Sequence, residues 1–254
     1  MKKALLVMSL VAFIASCSES TTPTVFRNVQ VSFATQPAAT LMASMSGTAI
    51  DASGAILDDT LVSGTDTLII TNAEIVLREI ELKRIDVTDC GSQLDEDGCE
   101  EFETGPVLVS LPLTAGTEAE FELDIPPGTY SEIEFDIHKV EDEPSDIAFL
   151  QQHPEFDKLS IRVIGSYNGD AFLYESDLGV EQELDLVPAL VVEEGAGSTN
   201  ITVFVDIDAW FRDQSGDLID PDTANEGGPN KSRVEDNIKQ SMEAFEDDDR
   251  SGSS

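Results

Sequence analysis

Apolar and polar residues alternate along much of this chain, and a period of two is the pattern of half-buried β-strands. The clearest segments place on one face Val25, Arg27, Val29, Val31 and Phe33, and later Ile201, Val203, Val205 and Ile207. Residues 73–84 suit a helix or a strand, and flanking β-favouring residues favour the strand. Many short strands between turns predict an all-β protein, an antiparallel β-sandwich whose one domain spans residues 25–211.

Two turn motifs divide these strands. Asn168-Gly169 is a strong signal for a two-residue hairpin. Pro126-Pro127-Gly128 stands between the alternating segments 121–125 and 133–137. We therefore predict that these two segments form an antiparallel pair with one apolar face and one acidic face.

The C-terminal part of the chain has a different pattern. Residues 212–229 are acidic and rich in Gly and Pro, which predicts an irregular loop. Residues 230–246 are predicted to be the one α-helix, because Ser232 and Glu235 form a capping-box pattern. The apolar residues at helical spacing are Val234, Ile238, Met242 and Phe245. We expect this stripe to dock on the sandwich, with a partner-binding helix as the alternative, and residues 247–254 to be a disordered acidic tail.

The first residues resemble a bacterial lipoprotein signal. An apolar run, residues 4–14, follows two lysines and is too short to span a hydrocarbon core of about 30 Å. Ile14-Ala15-Ser16-Cys17 matches the motif of that family. The resemblance implies that residues 1–16 are a signal peptide, that Cys17 carries the lipid, and that residues 17–24 tether the body, with the outer membrane favoured by Ser18. A plain secretory signal with an incidental cysteine is the alternative.

The charge of the chain limits its partners. It contains 51 acidic and 14 basic residues, for a formal net charge of -37. Nucleic acid and anionic lipid surfaces are disfavoured, because their phosphates are repelled by such a surface. Three explanations for the acidic charge remain, namely solubility in high salt, calcium binding and a basic partner.

Cysteine use fits an exported protein. Once Cys17 is lipidated, Cys90 and Cys99 remain. In an oxidising compartment we expect them to form one disulfide that closes an acidic loop. A zinc site is the weaker interpretation, because two thiols without a nearby histidine cannot complete a tetrahedral set of ligands.

An acidic segment near the C-terminus predicts a calcium site. Asp247, Asp249 and Ser251 place oxygen atoms at the first, third and fifth positions of an EF-hand-like loop, with a glycine at the sixth. No glutamate follows at the last position of such a loop, so a frayed acidic tail is the alternative. A group that contains Asp213 and Asp217 is a candidate source of the missing oxygen ligands.

Candidates for catalysis and for sugar binding are few. His138 lies two residues from Asp136, and no Gly-x-Ser-x-Gly elbow supplies a nucleophile, so we predict no catalytic residue and no enzyme. Trp210 is the candidate for stacking on a sugar ring, which would indicate a carbohydrate-binding or adhesion module. The alternative is that Trp210 packs beneath the C-terminal helix.

Two internal segments carry a further resemblance. Residues 73–82 (AEIVLREIEL) and 125–133 (IPPGTYSEI), together with the leader, resemble uncharacterised bacterial secreted lipoproteins of the domain-of-unknown-function type. The resemblance implies a prealbumin-like or carboxypeptidase-regulatory-like sandwich without catalytic residues. We therefore expect a lipid-anchored envelope protein with a non-enzymatic binding or structural role, calcium as its candidate cofactor, and a protein or glycan partner.

Overall fold

The computed structural model describes residues 27–35, 59–85, 99–102, 105–114, 118–193 and 199–246. The strands in these ranges are β1 (Arg27–Ala34), β2 (Asp59–Ser63), β3 (Asp66–Arg84), β4 (Cys99–Phe102), β5 (Val107–Ser110), β6 (Glu118–Ile125), β7 (Gly128–Ile137), β8 (Ile161–Tyr167), β9 (Asp170–Ser176), β10 (Val180–Val192), β11 (Thr199–Val205) and β12 (Met242–Glu246). The helices are α1 (Ile147–Gln152), α2 (Ile207–Trp210) and α3 (Lys231–Lys239), with short 3-10 turns at Pro154–Phe156 and Pro221–Ala224. None of the described helices is both long enough and apolar enough to span a bilayer.

The strands join into one large curled sheet in the order β6-β1-β11-β12-β10-β7-β3-β8-β9. The expectation of a mostly β protein is therefore confirmed. The expectation of purely antiparallel pairing is wrong, because β1 runs parallel to β11 and β10 runs parallel to β12. Since the described strands form one mixed sheet, the predicted sandwich is not confirmed.

Strand β3 organises one half of the sheet. It is 19 residues long and pairs with β2 and β8 near its start, with β5 in its middle, and with β7 and β4 near its end. Shifts of register accompany this length, for example between Arg78 and Glu81 against β7. The strand prediction for residues 73–84 is confirmed, and so is the Asn168-Gly169 hairpin, in which both residues have positive φ (53° and 89°).

The predicted pairing of the two segments on either side of Pro126-Pro127 is wrong. β6 pairs with β1, whereas β7 lies between β3 and β10. The two prolines have no N–H to donate, so they do not continue the strand pairing. The connection instead carries the chain from one part of the curled sheet to another. The Tyr130 hydroxyl donates to the Pro126 carbonyl oxygen (2.9 Å) and fixes the crossing.

The C-terminal segment is half helix and half strand. Val234 and Ile238 are buried on α3, as predicted, but the helix ends at Lys239. Met242 and Phe245 are buried on β12, which lies between β10 and β11 in the sheet. The predicted capping box is also wrong, because α3 begins after Asn230 and places Ser232 inside the helix.

One large apolar core lies inside the curl of the sheet. Its largest fully buried side chains include Trp210, Tyr130, Tyr174 and Phe33. Helix α3 is fixed against α2 by the Asn237 side-chain amide, which donates to the carbonyl oxygens of Trp210 (2.9 Å) and Arg212 (2.8 Å). A smaller cluster around Val76, Val140, Phe149 and Phe156 anchors α1.

Candidate functional site: an acidic face of the sheet

Charged side chains form three cross-strand rows on the outward face of β3, β7 and β10. The rows are Arg78–Asp136–Glu181, Glu81–Glu134–Glu183 and Lys83–Glu132–Asp185. We call these nine residues the acidic face. Seven of them are acidic and two are cationic, and four of the six directly opposed pairs consist of two acidic residues.

The sequence places these charges outside by simple alternation. Ile133, Phe135 and Ile137 of β7 are buried, so the acidic residues between them point away from the core. In β10 the buried Gln182, Leu184 and Leu186 alternate with Glu181, Glu183 and Asp185 in the same way. The alternation in β10 is a signal in the sequence that the prediction from sequence overlooked.

Lys83 links the two central carboxylates of β7. Its ammonium group donates to both Glu132 and Glu134. Although burial opposes the charged form of Lys83, the hydrogen bonds to these carboxylates raise its pKa overall. Lys83 is therefore a fixed positive charge within the acidic face.

Glu132 and Glu134 have opposite pKa shifts. Glu134 is only 8% exposed, and this burial, together with its hydrogen bond to Glu132, raises the pKa of Glu134 to about 7. The hydrogen bond from Glu134, assisted by Lys83, lowers the pKa of Glu132. Near neutral pH the pair therefore holds a proton on Glu134 while Glu132 stays ionised.

A bulge in β3 opens a cavity beside these rows. The register shifts between Arg78 and Glu81, and Glu79 within the shift has a positive φ of 52°. The Arg78 guanidinium lies 3.1 Å from a Glu79 oxygen and 3.6 Å from an Asp136 oxygen. The cavity has a volume of about 210 Å³ and is lined by Glu79, Glu81, Glu134, Phe135, Asp136 and Glu181.

The arrangement favours electrostatic attraction of cationic groups. Carboxylates surround the cavity on three strands, and its two neighbouring cations already have acidic partners. Among the described residues there is no group of three or more His, Cys, Asp or Glu side chains arranged to hold a metal ion. An ammonium or guanidinium group fits this surface better than a metal that needs convergent ligands.

The predicted calcium residues that can be located, Asp213 and Asp217, accept hydrogen bonds from donors of the protein itself. An Asp213 carboxylate oxygen accepts the backbone N–H groups of Ser215 (2.7 Å) and Asp217 (3.0 Å). The Asp217 carboxylate accepts the Ser63 hydroxyl (3.1 Å). These oxygens satisfy local donors and do not converge, so the described part of the predicted calcium site does not fit the ion. The other predicted ligands, Asp247, Asp249 and Ser251, lie outside the described residues.

Trp210 is in the core, so the prediction that it stacks on a sugar is wrong. Its side chain is completely buried. The indole N–H donates to the Ser241 hydroxyl (2.8 Å), and Ser241 in turn donates to the Ile238 carbonyl oxygen (2.7 Å). The alternative, in which Trp210 packs against the C-terminal helix, agrees with these contacts.

His138 pairs with Asp146 and not with Asp136, the acidic residue two positions before it. Its Nε2 lies 2.8 Å from Oδ2 of Asp146, which is fully buried, whereas Asp136 pairs with Arg78. Burial alone would raise the pKa of Asp146, but hydrogen bonds from the Glu141 backbone N–H and from His138 lower it. This buried pair joins the end of β7 to the start of α1.

The structure tests neither of the two predicted cysteine roles. Cys17 and Cys90 lie outside the described residues, and Cys99 is described only as the first backbone position of β4. The lipidation and the disulfide therefore remain predictions.

Comparisons with known proteins give no relative for this architecture. No protein-family model matches the chain, and neither the curated proteins nor the solved structures contain a significant match. The resemblance to secreted lipoproteins therefore remains an expectation from the quoted motifs.

Proposed function

We propose that this chain is a lipid-anchored protein of the bacterial cell envelope, held in the outer membrane through Cys17, with a non-enzymatic role in binding basic groups. The anchor is supported by the Ile14-Ala15-Ser16-Cys17 motif and by the apolar run before it. The binding role is supported by the acidic face on β3, β7 and β10.

The observation that carries the binding role is the like charge across neighbouring strands. Glu132 lies directly opposite Asp185, and Asp136 lies directly opposite Glu181. Like charges at such positions destabilise a sheet by about 0.2–1 kcal/mol per pair. A cationic partner would relieve this repulsion, so binding of lysine-rich or arginine-rich protein segments is favoured.

A fluorescent lysine-rich peptide tests the binding role directly. The full chain is titrated into the peptide at low salt, and anisotropy reports the dissociation constant. The informative variant, Glu181→Gln/Glu183→Gln/Asp185→Asn, removes three exposed carboxylates from β10 without changing buried contacts. We expect it to bind at least about tenfold more weakly, which corresponds to a loss of about 1.4 kcal/mol.

A matched control removes the same charge elsewhere. Asp142→Asn/Glu143→Gln/Asp157→Asn neutralises three exposed carboxylates in the loops on either side of α1. We expect this variant to bind within about threefold of the unaltered chain, since it changes only net charge. Equal losses in both variants would mean that net charge alone attracts the peptide, and no loss in either would overturn the proposed role of the acidic face.

The mass of the N-terminal peptide after membrane extraction tests the anchor separately, with Cys17→Ser as the unlipidated control.

A further inference from the structure

Three of the seven large apolar side chains that are exposed in the described part of the chain lie at one end of the sheet. Ile85 is 63% exposed, Val187 is 72% exposed and Val191 is 50% exposed. The Ile85 backbone N–H donates to the Thr129 carbonyl oxygen (3.1 Å), and Val191 is the register partner of Thr129 on the other side. Ile85 and Val191 thus flank one residue of β7, and we call Ile85, Val187 and Val191 the apolar edge.

The apolar edge lies near the point where the chain enters the fold. β1 begins at Arg27, whose register partner is Ile125 at the end of β6. Thr129 follows Ile125 by four residues, which limits their separation to roughly 14 Å. The start of β1, the β6–β7 connection and the apolar edge therefore belong to the same end of the sheet.

The length of chain between Cys17 and β1 keeps that end close to the anchor. Ten residue steps join Cys17 to Arg27 and reach at most roughly 35 Å when fully extended. A second pair of exposed apolar residues, Ile164 and Leu173, lies much farther away. Ile164 pairs with Asn72, thirteen residues before Ile85 on β3, or roughly 40 Å along an extended strand.

We infer that the apolar edge contacts the headgroup region of the bilayer in which the Cys17 lipid is inserted. The inference rests on the lipid anchor in the proposed function. Apolar side chains gain free energy when they leave water, and the anchor keeps them at high local concentration beside the membrane. The acidic face begins at Lys83, two residues before Ile85, and continues along the strands away from this end, so its successive rows lie progressively farther from the apolar edge.

The lipid that fits this contact is neutral. The row nearest the apolar edge contains Glu132 and Asp185, and two cations, Lys83 in the row and Arg84 beside it, balance their charge. This local charge offers no net attraction to an anionic headgroup, and the chain's net charge of -37 repels one, whereas phosphatidylcholine and phosphatidylethanolamine are neutral.

Photo-crosslinking from the membrane tests the orientation. The lipidated full chain is reconstituted in phosphatidylcholine vesicles that contain a phospholipid with a diazirine close to its headgroup, and labelled residues are identified by mass spectrometry. We expect labelling at Ile85 and Val191 to exceed labelling at Ile164 and Leu173 by at least about tenfold, because the carbene reacts only within contact distance. Equal labelling of the two pairs, or preferential labelling of the second pair, would overturn the inference.

Two matched variants separate contact with lipid from loss of folding. Ile85→Gln/Val191→Gln should abolish labelling of Val187, while Ile164→Gln/Leu173→Gln should leave it unchanged. All four positions are exposed, so the thermal midpoints of both variants should match that of the unaltered chain. Persistent labelling of Val187 in the first variant would contradict the inference. The acyl mass on Cys17 reports the anchor independently, so failure of the proposed lipidation is distinguishable from failure of the orientation.

Discussion

Replacing Glu134 with glutamine should stabilise the protein at pH 8 and leave its stability unchanged at pH 4. Glutamine has the shape of the protonated carboxyl group and keeps an oxygen that accepts from Lys83 and an N–H that donates to Glu132. The substitution therefore removes only the charge that Glu134 acquires at high pH. Because the pKa of Glu134 in the folded protein is about 7, ionisation of this group opposes folding.

The magnitude follows from linkage between protonation and folding. Raising the pKa from 4.5 to about 7 corresponds to about 3 kcal/mol at pH 8 for an isolated group. The lowered pKa of Glu132 offsets part of this, so we expect a gain of about 1–3 kcal/mol from Glu134→Gln. The folded pKa is the higher one, so this group's contribution to stability is complete below pH 4.5 and is lost as the pH rises through 7.

Urea denaturation at pH 8, 6 and 4 measures this effect. The difference in unfolding free energy between Glu134→Gln and the unaltered chain should shrink steadily as the pH falls. Glu183→Gln is the matched control, because Glu183 is the exposed register partner of Glu134 and its loss should change stability by less than about 0.5 kcal/mol. A gain that is independent of pH, or a loss of stability at pH 8, would refute the assignment of a shared proton to this pair.

Three further substitutions test the packing and hydrogen bonding of the fold. Gly165→Ala would place a Cβ 2.0 Å from the Ile69 carbonyl oxygen, so we expect a loss above about 3 kcal/mol by chemical denaturation. Asp146→Asn should destabilise the chain by about 2–3 kcal/mol at pH 7 and by less below pH 3.8, because the lowered pKa of Asp146 makes its contribution disappear as the pH falls; denaturation at both pH values measures this. Asn225→Ala should cost about 1–3 kcal/mol and increase aggregation on heating, measured by light scattering, because the Asn225 amide pairs with two backbone groups of the edge strand β9.

The faces of the strands could be predicted from the sequence, whereas their neighbours could not. Alternation correctly assigned Ile133 and Phe135 to the core and Asp136 to the outward face. It wrongly paired β7 with β6, because alternation specifies which side of a strand is buried and contains no information about which strand lies beside it. That choice depends on contacts between residues far apart in the chain, such as Arg78 with Asp136.

In the C-terminal segment, the local sequence pattern also failed to predict secondary structure that depends on distant parts of the chain. Val234, Ile238, Met242 and Phe245 fit a helical spacing, and all four are buried. Only the first two lie on a helix, because the sheet gains a strand between β10 and β11 when residues 242–246 are extended. Local spacing could not predict this, since the gap that β12 fills is created by the rest of the fold.

The strand register determines which residues of the acidic face lie opposite one another, and this register cannot be read from any single segment of the sequence. Apart from the pairs of Glu134, which holds a proton near neutral pH, two pairs of carboxylates stand directly opposite one another, namely Glu132 with Asp185 and Asp136 with Glu181. At about 0.2–1 kcal/mol each, these pairs destabilise the sheet by about 0.4–2 kcal/mol in total, before the attraction of Lys83 and Arg78. A surface that served only solubility could carry the same net charge with lysines opposite the glutamates and without this repulsion. Since local rules of sheet stability are most often broken where a protein binds, this register favours a basic partner over solubility as the reason for the acidic face.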